Sequence, residues 1–474
     1  MLYINGEWSK AISGKTLAVT NPATKQLIRS VPSAGAEETR QAIAAAKQAF
    51  AIWRNLTGKE RSVYLQAAAN SLREQADALA ELITMEMGKP LKEAKGEVGL
   101  SIDYFEWYAE EAKRIYGETI PSQHKDKRLL VIQQPVGVVA AVTPWNFPVA
   151  MFARKIAPAL AAGCTIVLKP ASATPLSAIK VFESFVAAGI PKGVVNLVIG
   201  SATEIVGEMT SNPDVRKITF TGSTEVGKKL IRDSADTVKR MSMELGGHAP
   251  FIVFDDADID AAVDGAIASK FRNAGQTCVC LNRIYVAESI ADEFGRKFAG
   301  KVSQLKIGNG LEEGVDIGPL IDEEAVLKVE DHVQDALQHQ GQLLCGGKRA
   351  QISLDGYFYE PTVINHANDQ MKIALEETFG PVAPIFTFKT EEEVLAKANH
   401  PQYGLAAYFY TRDLGRAFRV MEQIEYGIVG INDPLPTVAQ APFGGVKESG
   451  MGKEGGKSGL KDYLIEKYVS LNIG

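Results

Sequence analysis

The feature that most constrains the fold is an alternation of short apolar strands and helices that begins near residue 136. Four segments are predicted to be strands: Val136 to Val142, Thr165 to Lys169, Val194 to Ile199 and Lys217 to Thr221. Helical segments, Pro175 to Ala188 and Ala202 to Thr210, lie between them. Strands that alternate with crossover helices predict a parallel sheet, and the first strand is apolar enough to be buried on both faces. The chain is therefore predicted to have an α/β fold.

The rest of the chain adds a helical layer, a second alternating region and two isolated strands. Residues 36–52 and 60–86 carry alanine-rich apolar spacing at the helical period. The strands of the second region are predicted at Phe251 to Phe254, Arg283 to Val286, Ile385 to Phe388, Leu405 to Tyr410 and Gly427 to Ile431. The isolated strands, Arg128 to Gln133 and Tyr463 to Asn472, indicate a separate small sheet or an arm, or else edge strands within one subunit.

Size, charge and cysteine usage exclude several classes of function. A chain of 474 residues allows roughly three domains, and its net charge of −6 provides no basic field for nucleic acid or an anionic membrane. We expect neither a signal peptide nor a membrane span, because no basic stretch precedes an apolar core and no run of about 18 apolar residues occurs. Four cysteines fit a reducing cytoplasm, and six scattered histidines predict no metal site.

Two loops carry the residue types that acyl-enzyme chemistry needs. Cys278 lies in the polar, glycine-flanked segment Gly275 to Cys280, just after Arg272 and Asn273, where a thiol can be accessible and ionised. The alternative is a buried structural cysteine, which is the commoner use of a free thiol. Glu244 ends a predicted strand and precedes two glycines that permit an abrupt turn. A thiol nucleophile and a carboxylate that activates water are the minimal set for forming and hydrolysing a thioester.

Seven sequence blocks, in order, resemble the aldehyde dehydrogenase superfamily over essentially the whole chain. They are Pro144 to Pro148, Lys169 to Ser172, Phe220 to Ser223, Glu244 to Gly247, Gly275 to Cys280, Glu376 to Pro381 and Pro442 to Gly445. Within the superfamily the chain is most similar to the succinate-semialdehyde dehydrogenases. The resemblance implies a Rossmann-type cofactor domain (1–119 and 137–246), an α/β catalytic domain (247–446) and a small β oligomerisation arm (120–136 and 447–474). A homodimer or homotetramer is expected.

The resemblance also assigns the catalytic roles. Cys278 would attack the aldehyde carbon, and Asn146, together with the backbone N–H of Cys278, would stabilise the resulting oxyanion. Asn146 lies between Trp145 and Phe147 with prolines on both sides, so a plain turn former is the alternative. Glu244 would activate the water that hydrolyses the thioester; its alternative is a satisfied buried carboxylate.

Two nucleotide-binding patterns can be set aside before the cofactor site is assigned. Gly450 to Gly455 satisfies G-x-G-x-x-G, but it follows a loop and opens no βαβ unit, so a flexible turn is predicted. Gly222 to Lys228 begins like a phosphate-binding P-loop, yet Lys229 replaces the hydroxyl residue that holds magnesium. The segment still joins a strand to a helix, where exposed amides suit an anion.

The resemblance places the cofactor, NAD or NADP, against several of these segments. Gly222 and Ser223 would contact the pyrophosphate, Lys169 the adenosine ribose and Glu377 the nicotinamide ribose. Phe379, Trp145 and Leu245 would complete the nucleotide site. Ser172 occupies a position where strictly NAD-dependent members often carry glutamate, so a 2′-phosphate should be tolerated.

The substrate is expected to be a small anionic aldehyde, because the resemblance matches Arg154 and Arg283 to arginines that bind a substrate carboxylate. Thr437 stands where a serine is usual, which leaves glutarate semialdehyde or a sulfonated three-carbon aldehyde open beside succinate semialdehyde. Cys280 could form a strained, readily reduced disulfide with Cys278, or be a spectator thiol. A cofactor-free cysteine hydrolase or acyltransferase is the alternative class, and it would need a histidine partner for Cys278; the nearest upstream is His248.

Overall fold

The structure is a computed structural model that describes residues 1–399 and 402–474. Its strands are β1 (Leu2–Ile4), β2 (Glu7–Ser9), β3 (Thr16–Thr20), β4 (Leu27–Pro32), β5 (Glu118–Ile120), β6 (Lys127–Pro135), β7 (Val138–Val142), β8 (Thr165–Lys169), β9 (Val195–Leu197), β10 (Val215–Thr221), β11 (Arg240–Glu244), β12 (Ala249–Val253), β13 (Leu281–Ala287), β14 (Gln342–Cys345), β15 (Thr362–Asn365), β16 (Val382–Phe388), β17 (Ala406–Tyr410), β18 (Ile428–Ile431), β19 (Gly450–Met451) and β20 (Leu464–Asn472).

The α-helices are α1 (Ala36–Trp53), α2 (Gly58–Glu74), α3 (Ala76–Met87), α4 (Leu91–Glu111), α5 (Ala150–Ala162), α6 (Pro175–Ala187), α7 (Ala202–Ser211), α8 (Thr224–Asp233), α9 (Ile259–Lys270), α10 (Ala291–Val302), α11 (Glu323–Gln338), α12 (Lys372–Leu375), α13 (Glu391–Ala398), α14 (Leu414–Gln423) and α15 (Gly456–Lys461).

Two large, mainly parallel sheets form the body of the protein and confirm the predicted α/β fold. The first has the strand order β19-β11-β10-β7-β8-β9-β1-β2, and its strands β11, β10, β7, β8 and β9 are parallel. Strands β7 and β8 are buried almost throughout, which confirms the prediction that β7 is covered on both faces. The chain moves from β7 to β8 and β9 in one direction and later places β10 on the other side of β7. That reversal creates a crevice at the carboxyl ends of β7 and β10, where α/β proteins bind ligands.

The second sheet has the order β14-β15-β16-β13-β12-β17-β18, with only β14 antiparallel among these strands. One apolar cluster, which includes Phe294, Val329 and Tyr408, packs on one side of the sheet. A second cluster, which includes Tyr285, Phe386 and Phe409, packs on the other side. Both faces of the sheet are therefore covered by apolar side chains.

The two strands that were isolated in sequence pair with each other. Strands β6 and β20 are antiparallel along nine residue pairs, from Leu464 with Pro135 to Asn472 with Lys127, and β5 adds a third strand. The sequence interpretation of a separate small sheet is therefore confirmed within one chain.

Three details differ from the sequence predictions. The helical stretch predicted over 60–86 is two helices, because Gln75 leaves helical geometry at φ −105° and ψ 9°. Helix α4, the longest in the part of the chain that the structure describes, was not predicted. The glycine-rich segment after residue 449 is not a flexible turn. It forms β19, which pairs with Met243 and Glu244 of β11, so this piece of the predicted arm belongs to the first sheet.

Candidate active site

The site forms where four parallel strands of the first sheet end. The loop after β7 carries Trp145 and Asn146, β8 ends at Lys169, the loop after β10 carries Gly222, and β11 ends at Glu244. Parallel strands present their carboxyl ends at one edge, so loops that are far apart in sequence are brought together there. The second sheet supplies the remaining wall through the segment before β13, which contains Cys278.

The loop that carries Cys278 has an unusual backbone. Asn273, Ala274 and Gly275 are three consecutive residues in left-handed conformation, with φ of 53°, 52° and 75°. A non-glycine residue in this region costs about 1 kcal/mol or more, so neighbouring contacts must hold the loop. Buried Gln276 does so: its Nε2 donates to the Asn273 carbonyl at 3.1 Å and its Oε1 accepts from the Ile321 N–H at 2.9 Å.

Cys278 is half-buried and lies at the junction of two cavities. Burial raises the pKa of its thiol to about 12, and the positive charge of Arg154 is the strongest influence in the opposite direction. The negative charges of Glu377 and Glu244 add to the rise in the pKa. The thiol is therefore a poor nucleophile until a proton is removed, and Arg154 is the group that favours the thiolate.

Asn146 lies next to Cys278 in the wall of the wider cavity. Its Nδ2 donates to the Gln276 carbonyl at 3.0 Å, and its Oδ1 has no hydrogen-bond partner within the described residues. An amide nitrogen carries two N–H groups. The bond to Gln276 fixes the plane of the amide and leaves the second N–H to stabilise an oxyanion at Cys278.

Glu244 is a buried carboxylate whose two oxygens find no hydrogen-bond partner among residues 1–399 and 402–474. Burial raises its pKa well above the usual value, and the nearby charge of Glu454 raises it further, while Arg154 and Lys155 oppose the rise. Gly444 leaves room beside it, since a β-carbon there would lie 2.7 Å from Oε1. A buried, unsatisfied carboxyl with a raised pKa suits a general base better than a structural role.

A buried ionic cluster lies behind Glu244 and was not predicted. Glu454 pairs with both Arg154 and Lys155, and Lys155 also donates to the Thr221 hydroxyl at 2.6 Å. Burial opposes the charge on Arg154, but the Glu454 carboxylate raises its pKa overall. The cluster joins residues about 300 positions apart, so no local sequence signal could have revealed it.

The wider cavity has a volume of about 300 Å³ and contains most of the predicted cofactor residues. Its lining includes Trp145, Gly222, Ser223, Leu245, Glu377 and Phe379. The Trp145 and Phe379 rings meet edge to face with centroids 5.7 Å apart. These groups provide flat apolar walls and one carboxylate, as a nucleoside requires.

The polar residues of this cavity also fit a dinucleotide. Ser223 caps α8 by accepting from the Val226 N–H at 3.4 Å, and the N-terminus of a helix is a favourable place for an anion. A β-carbon on Gly222 would overlap the ring of Phe220, which shows how tightly this turn is packed. Glu377 accepts from the Gly247 N–H at 3.1 Å, and burial raises its pKa to about 7. Glu377 can therefore accept hydrogen bonds from ribose hydroxyls when it is ionised.

Lys169 and Ser172 lie outside the lining of this cavity. Lys169 is buried, donates to the Pro170 carbonyl at 3.1 Å, and has its pKa lowered to about 8 by burial. Ser172 is half-buried at the start of the next loop. Both are close to the carboxyl end of β8.

A narrow cavity opens on the other side of Cys278. Arg154, Arg272 and Thr437 line it together with the aromatic residues Tyr104, Phe147 and Phe443. The Arg154 Cζ lies 3.9 Å from the centroid of the Phe443 ring, and the Arg272 Cζ lies 4.9 Å from that of Phe147. Two guanidinium groups, each held by an aromatic face, thus flank the space next to the nucleophile.

The prediction that Arg283 binds the substrate carboxylate is not supported by its position. Arg283 is fully buried in β13, where its guanidinium donates to the carbonyls of His248, Lys397 and Ala398 and to the hydroxyl of Tyr426. It lines neither cavity at Cys278. Arg272, six positions before Cys278, lines the narrow cavity instead. Its position in the polar loop beside the nucleophile was the available signal.

Cys280 is buried two residues beyond the nucleophile. Its Sγ contacts the Gly275 carbonyl at 3.3 Å and lies 3.8 Å from Lys270 Nζ. All four cysteines are unpaired in this structure. The disulfide between Cys278 and Cys280 stays a prediction, and to form it Cys280 would exchange these two contacts for a bond to Cys278.

The site thus combines a thiol, a side-chain amide and a buried carboxylate at one crevice, and comparison with known proteins gives the class. The aldehyde dehydrogenase family profile matches residues 8–469. The chain belongs to the aldehyde dehydrogenase family and is an oxidoreductase.

Individual relatives are similar over almost the whole chain. The chain is 56% identical to the NADP(+) succinate-semialdehyde dehydrogenase of Escherichia coli, over 99% of this chain and 97% of that protein. It is also 56% identical to a glutarate-semialdehyde dehydrogenase of Pseudomonas putida, with the same coverage. A 3-sulfolactaldehyde dehydrogenase of Pseudomonas putida is 55% identical over 99% of this chain and 96% of that one. The crystal structure of an E. coli NADP-dependent enzyme superposes with a TM-score of 0.98 at 56% identity, covering 100% of this chain and 98% of that one.

Among the described residues there is no group of three or more histidine, cysteine or acidic side chains that could hold a metal ion. No helix in that same part of the chain is both long and apolar enough to cross a membrane.

Proposed function

We propose that this protein oxidises a small anionic semialdehyde, in the first place succinate semialdehyde, to the carboxylic acid with NADP or NAD. The observation that carries the proposal is the pair of guanidinium groups, Arg154 and Arg272, in the cavity next to Cys278. Arginine binds carboxylate with two parallel hydrogen bonds, so guanidinium groups beside the nucleophile favour an anionic chain end over a neutral one. The names of the relatives support the same class of substrate.

The residues around the thiol can be given roles in order. Cys278, once deprotonated, adds through Sγ to the aldehyde carbon, and the oxygen that becomes negative is stabilised by the Asn146 amide and the Cys278 N–H. The bound nicotinamide supplies the hydride acceptor. Loss of the aldehyde hydrogen leaves a thioester on Cys278. Glu244 then takes a proton from water, the water oxygen attacks the thioester, and the acid and the thiolate are released.

Both cofactors are expected to bind. Ser172 has no carboxylate to repel a 2′-phosphate, and Lys169 close by can attract one. The name of the E. coli relative supports NADP. Glu377, Phe379, Trp145 and Leu245 line the wider cavity together with Cys278, so we assign the nicotinamide half of the cofactor to them.

Glutarate semialdehyde and sulfolactaldehyde remain candidates, because relatives of nearly equal similarity carry those names. Thr437 borders the narrow cavity, and the neighbouring Pro434 and Pro436 line an adjacent small cavity that Arg272 also borders. A cofactor-free cysteine hydrolase is less well supported. His248, its expected partner for Cys278, is buried and its Nε2 contacts the Ala374 carbonyl at 3.0 Å.

Assembly and location are further parts of the proposal. We infer a homodimer or homotetramer in which the sheet of β5, β6 and β20 acts as the oligomerisation arm beside the cofactor and catalytic domains. Leu471 and Tyr468 on β20 are exposed apolar residues that a second subunit could cover. Four unpaired cysteines support a cytoplasmic location.

The test compares aldehydes that differ only at the far end. We expect Arg272→Ala to lower kcat/KM for succinate semialdehyde by roughly 10- to 100-fold more than for butanal, because a charged hydrogen bond contributes about 1.5 to 3 kcal/mol. Butanal has the same carbon chain without the carboxylate, so it corrects for any loss of folded enzyme. An unchanged ratio would refute the anionic substrate. Arg283→Lys is the comparison variant and should lower both activities equally.

A further inference from the structure

A second group of buried charges links the two loops that carry Asn146 and Cys278. It lies at the start of α4 and consists of Lys89, Glu93 and Glu97, which touch neither of the two cavities at Cys278. Lys89 is completely buried and forms an ion pair with Glu97 at 2.5 Å. Burying an ion pair costs desolvation free energy, which is offset only when further hydrogen bonds satisfy both charged groups.

Lys89 reaches the backbone of the oxyanion donor itself. Its Nζ donates to the Asn146 carbonyl at 2.8 Å and lies 3.6 Å from the centroid of the Phe147 ring. The same carbonyl accepts a second hydrogen bond, from Asn273 Nδ2 at 3.0 Å. Asn146 is therefore held at its carbonyl by two donors and at its amide by the bond to Gln276.

The two carboxylates hold the flanking segments. Glu97 Oε1 accepts from the N–H groups of Val149 and Ala150 at 2.8 and 3.2 Å, so it fixes the first turn of α5 directly after the Asn146 loop. Glu93 Oε2 accepts from the Asn273 N–H at 2.7 Å, at the first of the three left-handed residues before Cys278. One short segment thus anchors a loop of the first sheet and a loop of the second sheet.

We propose that Lys89 is a positioning residue for the reaction: by holding the Asn146 carbonyl, it places the free amide N–H of Asn146 where the oxyanion forms above Cys278. Glu97 keeps the Lys89 ammonium directed at that carbonyl, and Glu93 holds the nucleophile loop in register. The inference rests on the proposed role of Asn146. An oxyanion donor acts at full strength only when it is fixed before the charge develops, and displacement by about 1 Å costs up to about a hundredfold in rate.

The charge of Lys89 agrees with this geometry. Burial lowers the pKa of the Lys89 ammonium, and the charge and hydrogen bond of Glu97 oppose that change most strongly. Removing Glu97 would therefore weaken the ammonium as a donor without touching Asn146.

The first test is the variant Lys89→Met, which keeps the length and apolar stem of the side chain. We expect kcat for the aldehyde to fall roughly 10- to 100-fold with little change in KM for aldehyde or coenzyme. Lys217→Met is the matched control. Lys217 is also a buried lysine over an aromatic ring, 4.9 Å from the centroid of Tyr463, but it bonds to Ser242, away from Cys278. It should lose stability without a comparable loss of kcat.

Two readouts separate positioning from general damage. Alkylation of Cys278 by iodoacetamide forms no oxyanion, so its rate should be the same in Lys89→Met and the unchanged protein, whereas turnover falls. In the Asn146→Ala background, Lys89→Met should cause no further loss, because the donor it positions is gone. Parallel loss of alkylation, or a loss that multiplies with that of Asn146→Ala, would overturn the proposal.

The outcomes also separate this inference from the proposed function. If Asn146→Ala itself leaves turnover unchanged, the proposed catalytic role of Asn146 is wrong. If Asn146→Ala is slow but Lys89→Met is not, only the positioning role is wrong. Should Lys89→Met fail to fold, the variant Glu97→Gln tests the positioning role of Lys89 instead. Its amide oxygen can still accept from Val149 and Ala150, and a loss of kcat that disappears in the Asn146→Ala background is the expected result.

Discussion

The two cavities that meet at Cys278 are built differently. The wider cavity, which is the proposed nucleotide side, measures about 300 Å³ and is lined largely by loops that follow buried parallel strands. The substrate side is narrow, about 20 Å³, and is lined by two arginines, aromatic rings and a loop residue, Thr437. Its cations are held by Phe443, Phe147 and Glu454 rather than by the sheet.

This difference indicates where specificity for the cofactor and specificity for the aldehyde are each determined. A dinucleotide is large and common to many enzymes, so its site can follow from the sheet topology and from turns that the strands impose. The aldehyde is small, and its recognition depends on the exact placement of charged side chains in little space. Changes on the nucleotide side should therefore alter cofactor choice, and changes on the substrate side should alter aldehyde choice.

The largest effect on turnover is expected from a substitution of Glu244, the proposed general base beside Cys278. Glu244→Gln should lower kcat by about 10²- to 10⁴-fold, because the thioester loses its general base. Reduced coenzyme should still appear in a rapid burst of about one equivalent per active site, since addition to Cys278 and hydride loss precede the missing step. Stopped-flow absorbance measures both phases.

The pH dependence follows from the same residues. Glu244 and Cys278 both have pKa values raised by burial, and each acts in its deprotonated form, so kcat/KM should increase as the pH rises above neutrality. Cys278→Ser should abolish the burst as well as turnover. A Glu244→Gln variant with normal steady-state turnover would contradict the assignment of the base.

An effect of intermediate size is expected on the preference between NADP and NAD, through Lys169. The Lys169 pKa is lowered to about 8, so the ammonium is charged below that pH and neutral above it. The ratio of kcat/KM for NADP to that for NAD should therefore fall as the pH rises through about 8. Lys169→Met should remove this dependence and lower the ratio about tenfold, or about 1.4 kcal/mol.

The control for that experiment is Lys239→Met. Burial also lowers the Lys239 pKa to about 8, but its Nζ donates to the carbonyls of Asn212 and Val215, outside the lining of the wider cavity. The cofactor ratio and its pH profile should be unchanged in that variant. A flat profile in the unchanged protein would exclude Lys169 from phosphate recognition.

The smallest effect is expected on the preference between two aldehydes, through Thr437. Thr437→Ser removes one methyl group from the narrow cavity and keeps the hydroxyl, which should favour glutarate semialdehyde over succinate semialdehyde by about threefold, the value of roughly one buried methyl group. Competition between the two aldehydes in one reaction measures so small a change. Thr390→Ser, at an exposed helix cap, should not alter the ratio.

Much of this architecture could be predicted from the sequence, because it depends on the pattern of apolar and polar residues along short segments. The apolar run of β7 predicted a strand buried on both faces, the alternation with helices predicted a parallel sheet, and Glu244 and Lys169 were each placed at the end of a predicted strand. The roles of Cys278 and Asn146 came from the resemblance to a family, since they lie 132 positions apart and no spacing joins them.

The arginines show where sequence reasoning failed. Arg272 and Arg283 lie six residues before and five residues after Cys278, and both suit a carboxylate. Which of them faces the cavity depends on the left-handed turn at Asn273 and on the face of β13 to which Arg283 points. Neither follows from residue type, because many other contacts of the fold stabilise that turn.

The amino-acid sequence by itself determined the α/β class, the order of the strands along the chain and the chemical groups that are available. Periodicity and strand-end residues are local properties, and local free energies decide them. Only the tertiary structure decided which groups meet: Arg272 with Arg154, Glu454 with Lys155, and Lys89 with Asn146. Packing brings these distant segments together. Burial then shields them from water, which strengthens their electrostatic interactions and hydrogen bonds.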